Sequence, residues 1–567
     1  MANTIPQTAQ EFMKLSWPEI EPFYTELQKT ALNDRNVNAW LADWTRLSAL
    51  VSETQQRLYV ASSIDTADQQ AARSLFHFLE DVFPPVEAAE QQLRRMLLAS
   101  RLEPEGFEMP LRNMRTQAAL FRHANLALLT EEHRLENEYD RTIGAQTVVW
   151  DGREQTVTQL RPVHQNTDRT LREKAWRLVT GRQMADRAAL NDLWRRYLKL
   201  RQRMALNVGY PDYRAYRWQQ MLRFDYTPAD CAHFHEAIEQ VVVPAAERLY
   251  ERRRRQLGVS SLRPWDLEVD PTGEEALHPF NTLTAFEEGA QAIFQRVDAA
   301  LCDDFARMRR EKLLDLGNHK GKAPGGFCTQ FAVIKRPFIF MNAVGVHEDV
   351  QTLLHEGGHA FHVFESAHLP YMQQQDIGME FGEIASMSME LLGMPYLAAS
   401  EGGFYSAHDA KRAVRQHLES IITFWPYMAV VDAFQHWVYQ HEQEAVRPEK
   451  CDAVWHTLWK RFMRGVDWSG LEQEAATGWQ RKEHIFQWPF YYVEYGMAQL
   501  GAVQVWRNAL RAQHQAVRDY RHALSLGGTL PLPQLYASAG ATFKFGAATL
   551  REAVSLIESQ LNELETK

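Results

Sequence analysis

Cysteine is scarce in this 567-residue chain. Cys231, Cys302, Cys328 and Cys451 lie far apart and form no C-x-x-C pair. That spacing speaks against a disulfide framework or an all-cysteine zinc site and for free thiols in a reducing compartment. Long apolar runs are also missing: none approaches the roughly 18 residues that a membrane span needs. The opening MANTIPQTAQEFMKLSW has no basic region followed by an apolar one, so it does not read as a secretory signal. Positive charge is not in excess either. The net charge of -10 argues against nucleic-acid binding, which leaves a basic footprint. The run Arg252 to Arg255 is the exception. It follows the apolar stripe Phe234, Ile238, Val241, Val242, Ala245 and Leu249 and reads as the solvated end of a long helix. Low-complexity tracts and repeats of 20–50 residues are absent as well. These absences describe a soluble, cytoplasmic protein without a nucleic-acid or membrane partner; they say nothing of oligomeric state.

What is present is the composition of an ordinary globular protein, 45% hydrophobic and 24% charged, with 16 Trp to build a large core. The first 140 residues read as successive amphipathic helices, with a break expected at Pro84-Pro85. QTVVWDGREQTVTQL alternates around Asp151-Gly152 and predicts a type I′ hairpin. The longest helix is expected over Arg172–Asn207. A Pro/Gly/Asp-rich loop from Leu257 to Pro279 carries Trp265-Asp266. CTQFAVIKRPFIFMN then offers two short strands around Lys335-Arg336-Pro337, able to pair with an extended peptide or to serve as a plain structural hairpin. Leu550, Val554, Ile557, Leu561 and Leu564 mark the buried stripe of a last helix.

One stretch stands apart, His355-Glu356-Gly357-Gly358-His359 within VQTLLHEGGHAFHVF. On a helix, residues four apart share a face, so the two imidazoles can bind one metal ion with Glu356 beside it as general base. His235-Glu236, His347-Glu348 and His441-Glu442 begin the same pattern, but Glu239, Gln351 and Ala445 fill the second-His position. Two glycines in mid-helix cost about 1 kcal/mol each relative to Ala. A helix that accepts them needs a close backbone approach.

A catalytic zinc needs a third protein ligand. His362 lies seven residues beyond His355, roughly 10 Å along the axis, too far for three ligands on one straight helix to converge. DIGMEFGEIASMSMELLGMP supplies Glu380, Glu383 and Glu390. Glu383 and Glu390 share a face among small and apolar residues and need a partner there. Glu380 stays open as the alternative ligand, or as a solvated glutamate. Near the C-terminus, HIFQWPFYYVEYGMAQLGA holds His484, Tyr491, Tyr492 and Tyr495, donors of the kind an oxyanion requires, in a stretch that also reads as aromatic core.

KAPGGFCTQF, PFIFMN, HEGGHAFH, GEIASMSMELL, the His/Tyr segment and ALSLGGTLPLPQLYASAG, in this order, resemble the M3 family of zinc oligopeptidases, the oligoendopeptidase F and thimet oligopeptidase group. The resemblance covers about the C-terminal two-thirds and also touches Trp265-Asp266. It implies a mostly α, elongated zincin-type metallopeptidase with a deep central channel and a small β element beside the zinc helix. Residues 1–170 would be a mainly helical N-terminal part and 171–567 the catalytic region. It further implies one Zn2+ per chain on His355, His359 and Glu383, with Glu390 at the second-glutamate position. Glu356 would be the general base, and His484, Tyr492 and Tyr495 would hold the oxyanion or the substrate backbone. Substrates would be short unstructured peptides cut at internal bonds. The alternatives are a dipeptide-releasing exopeptidase and a catalytically idle peptide binder.

Overall fold

Apolar stripes at the helical period, with few β-branched runs between them, make helix the default along this chain. The computed structural model describes residues 5–566, mostly helical with two small sheets. Val37–Ile64 is the first long helix, and its inner face carries Trp40, Leu41, Trp44, Leu47 and Leu50. With Phe12, Ile20, Phe23, Val86, Leu93 and Met114 it builds a core whose buried residues lie between 12 and 114, with Val333 and Tyr371 packed against it from farther along the chain. A larger core runs from Leu120 to Leu561 and takes in Val60 from that first long helix.

Two helical expectations change in detail. At Pro84-Pro85 the chain does not leave the helix. A π-helical turn, Phe78–Val82, runs directly into Phe83–Ser100, and the prolines fall in the first turn of the new helix, where Pro is tolerated. The single helix expected over Arg172–Asn207 is two, Arg169–Ala185 and Arg187–Val208. Asp186 separates them. Its carboxylate accepts from Arg182 Nη1 at 2.7 Å and from Gln146 Nε2 at 2.9 Å. Periodicity does not register an acid whose partner lies outside its own helix.

The first hairpin pairs β1 (Thr147–Trp150) with β2 (Arg153–Thr156), Trp150 opposite Arg153. Asp151 and Gly152 both take positive φ, 49° and 76°, as a type I′ turn demands. The second sheet adds an unforeseen member. β4 (Phe327–Phe331) and β5 (Arg336–Ala343) pair antiparallel as expected, but β3 (Leu314–Gly317) lies parallel on the other side of β5. Four residues reading Leu-Asp-Leu-Gly are too few to show a period. The order β3-β5-β4 leaves β4 at an edge.

From β5 the chain turns into the helix His347–Ser366. Gly345 takes φ 93°, and the Asp349 carboxylate accepts the N–H groups of Val344, Gly345 and Val346 at 2.7–3.0 Å. That cap fixes where the helix starts. The Leu257–Pro279 loop is pinned by fully buried Asp266, which accepts from Arg169, Arg172 and the Arg263 N–H. The arginine run ending the helix Pro228–Gln256 is neutralised within the chain. Arg252 pairs with Glu419 and Glu565, and Arg254 and Arg255 pair with Glu251. In the last helix, Ala547–Thr566, the expected residues Leu550, Val554, Ile557 and Leu561 are buried. Among the described residues no helix is long and apolar enough to cross a membrane.

Candidate active site

The site forms where the helix His347–Ser366 crosses the helix Met379–Gly393. Of the two glycines of the motif, Gly358 makes the crossing possible and Gly357 admits an aromatic ring from the helix Leu283–Val297. A Cβ at Gly358 would lie 2.4 Å from the Ala385 carbonyl oxygen and the Ser386 Cα, and one at Gly357 would strike the Phe294 ring at 2.7 Å. At Gly358 the close approach is therefore backbone against backbone. It sets Glu383, one turn before Ser386, opposite the two histidines.

His355, His359 and Glu383 each offer one atom, and these atoms all lie within 4.8 Å of one another. Glu383 Oε2 is 3.2 Å from His355 Nε2 and 3.7 Å from His359 Nε2. Behind them, Glu390 Oε1 lies 2.7 Å from His355 Nδ1 and so fixes the ring, and His417 Nε2 stands 3.5 Å from Glu390 Oε2. Burial pushes the His359 imidazole down to about 4. At His355 burial works in the same direction, but Glu383 and Glu390 override it and draw a proton. A field that attracts a proton there also favours a cation. Two imidazoles and a carboxylate, with a second carboxylate orienting one ring, suit zinc.

Glu356 stands beside this trio, buried, with its Oε2 lacking any hydrogen-bond partner. Burial, with Glu383 and Glu390 adding and His355 opposing, raises its carboxyl to about 7. Gly326, just before β4, leaves room in front of it; a Cβ there would sit 3.6 Å from Glu356 Oε1.

The tyrosines divide by helical position. Tyr491 donates to Glu383 Oε1, and Tyr495 lies 3.1 Å from His484 Nε2. The Tyr491 and Tyr495 rings stand 5.1 Å apart. Tyr492 turns away by about 100°, the angular step of a helix with 3.6 residues per turn. Its ring packs on Phe424 and Tyr427, with the Lys482 ammonium 4.2 Å over its face, although it still touches His484 edge-on at 5.1 Å. Burial keeps the proton on the Tyr495 hydroxyl and, with Lys482, keeps His484 neutral. Tyr491, in the sequence one of three tyrosine donors in this stretch, here reaches the Glu383 carboxylate. The i, i+4 spacing from Tyr495 is the signal that would have singled it out.

His362 is buried against Phe381 and is not among the converging donors. Glu380, open in the sequence as a ligand or a solvated residue, is buried. It accepts from Tyr226 Oη at 2.6 Å and lies 3.6 Å from Arg223, which also pairs with Glu494. The tertiary fold supplies those partners, and no local pattern announces them.

A helical fold carrying two histidines four residues apart, a carboxylate brought in by a second helix and a free glutamate between them defines an HExxH metallopeptidase. The chain belongs to peptidase family M3, whose model matches residues 163–555. Among curated proteins it is 22% identical over 333 residues to oligopeptidase PepF of Bacillus subtilis, covering 57% of this chain and 47% of that one. To the chromosomal oligoendopeptidase F of Lactococcus lactis subsp. cremoris it is 23% identical over 341 residues, covering 57% and 52%. The chain spans about half the length of these curated relatives. Solved structures match throughout. PZ peptidase A with inhibitor 2 is 27% identical at a TM-score of 0.90, covering 99% of this chain and 98% of that one. A structure provisionally assigned as oligoendopeptidase F is 27% identical at 0.92, covering 98% of each.

Proposed function

We propose that the protein is a zinc-dependent oligoendopeptidase of the cytoplasm that hydrolyses internal bonds of short, unstructured peptides. The observation that carries this reading is the convergence of His355, His359 and Glu383 beside a buried glutamate with an unpartnered oxygen. His355, His359 and Glu383 would hold one zinc ion, which when bound supplies a Lewis acid that makes water nucleophilic near neutral pH. Glu356 Oε2 takes the proton of the attacking water and passes it to the leaving amine. Glu390 keeps His355 in one tautomer through Nδ1, and Tyr491 holds Glu383 in place. Tyr495 and the neutral His484 donate to the oxygen of the scissile carbonyl as negative charge develops on it. Tyr492 backs the His484 ring. The edge strand β4 aligns the substrate backbone.

Mass spectrometry of products from a defined peptide mixture, with and without a chelator, tests the reading. Internal cleavages that vanish on chelation and return with zinc are expected. Cleavage that persists in metal-free protein would overturn the mechanism. Products confined to terminal dipeptides would make the enzyme an exopeptidase, and binding without any product would make it a peptide-binding protein.

A further inference from the structure

Two other helices repeat the four-residue spacing. Cys231 and His235 lie four apart on the helix Pro228–Gln256, and Asp432 and His436 lie four apart on the helix Ala407–Gln440. Each pair occupies one helical face, and the helices pack so that the two pairs meet. Cys231 Sγ, a carboxylate oxygen of Asp432 and a ring nitrogen of His436 all lie within 4.8 Å of one another. His235 Nε2 is 2.9 Å from Asp432 Oδ2, and His436 Nε2 is 3.4 Å from the same oxygen. Cys231 and Asp432 are wholly buried, His235 is buried, and the His436 side chain keeps 11% of its exposure.

Hydrogen bonding alone does not satisfy this group. His235 can donate to Asp432, but Asp432 Oδ1 and His436 Nε2 are buried without a hydrogen-bond partner. Groups left in that state cost about 1–3 kcal/mol each, and native interiors avoid them. One divalent cation would engage Cys231, Asp432 and His436 together, while His235 keeps its hydrogen bond to Asp432. The donor set selects its type: a thiolate with an imidazole and a carboxylate suits zinc and not the hard cations magnesium or calcium. The surroundings tolerate the charge, since nearby Arg223 faces two carboxylates, Glu380 and Glu494.

We propose that Cys231, Asp432 and His436 form a second metal site, a zinc site that clamps these two helices, with His235 orienting the Asp432 carboxylate behind it. It is separate from the catalytic trio and contributes nothing to the peptidase reading. Lone cysteines without C-x-x-C spacing do not announce such a site, because its ligands come from two helices far apart in the chain.

The test exploits sulfur, which the catalytic donor set lacks. Full-length protein purified with zinc should hold two ions per chain. Its zinc X-ray absorption spectrum should contain a sulfur neighbour at about 2.3 Å. With cobalt in place of zinc, the protein should show a sulfur-to-metal charge-transfer band. Cys231→Ala should lower the count to one, abolish both sulfur signals and lower Tm, with kcat unchanged. One ion per chain with only nitrogen and oxygen neighbours in the wild type would overturn the proposal. So would sulfur signals that survive Cys231→Ala. Should that variant fail to fold, the wild-type count and sulfur shell decide the matter by themselves.

Discussion

Two helix pairs in this molecule carry ligand-type side chains four residues apart, and they differ in what faces them. At His355 and His359 the opposite helix presents Glu383, while Glu356 keeps an unpartnered oxygen beside the small residue Gly326. At Cys231 and His235 the opposite helix presents Asp432 and His436, and the aromatic rings of Trp218 and Phe490 close over His436. The first arrangement leaves a base able to take up a proton. The second is closed in by rings and has no free glutamate beside it, so its unpartnered atoms, Asp432 Oδ1 and His436 Nε2, can hold an ion but not a reacting water. Spacing makes a cluster possible, and what the neighbouring elements leave open decides whether it does chemistry.

The strongest way to break this contrast is Glu356→Gln. The amide keeps the volume and accepts no proton, so kcat should fall by at least ~10³ while zinc content and fold persist. Steady-state kinetics beside metal analysis checks it, and near wild-type turnover would remove Glu356 as the base.

Tyr495→Phe comes next. Loss of a direct oxyanion donor costs on the order of 10²–10³ in kcat, with metal content unchanged. Tyr492→Phe, whose ring lies in the Phe424–Tyr427 cluster, should change kcat far less. Equal losses in the two variants would erase the distinction drawn between neighbouring rings.

A third buried carboxylate sharpens the comparison from outside both clusters. Asp266 is fully partnered by arginines. Burial opposes its ionisation, but Arg169, the Arg263 N–H and Arg172 hold its carboxyl below the usual range. Because the folded value is lowered, the stability it confers is full above the unfolded value near 4 and is lost as pH falls through the folded one. Asp266→Asn leaves buried Arg172 without its counter-charge and should cost about 3 kcal/mol near neutral pH. Denaturant titrations at several pH values should show that the difference from wild type shrinks on acidification, with kcat of the folded variant unaltered.

The smallest effect expected is that of Gly358→Ala. The added methyl meets the backbone at Ala385–Ser386, and overpacking of this kind costs about 1–3 kcal/mol. Since the same crossing places Glu383, zinc affinity should fall with stability. Unchanged affinity would mean that the crossing does not set the ligand geometry.

Much of this was legible in the residues themselves. His355, Glu356 and His359 declare themselves by helical spacing, and the Asp151-Gly152 turn and the final apolar stripe follow from local rules. So does the need for partners at Glu383 and Glu390, charged residues set among small apolar ones. Those features depend on neighbours within about one turn of helix or one hairpin. The rest depends on contacts between residues far apart in the chain. Only the packed structure separates Glu383 from Glu380, because Tyr226 and Arg223 occupy one while His355 and His359 face the other. It alone adds β3, divides the helix at Asp186, turns Tyr491 and not Tyr492 towards Glu383, and brings Cys231 to Asp432 from 201 positions away. A sequence fixes which side chains need partners, through burial and charge. Which partners they receive is decided when distant helices come within hydrogen-bonding reach.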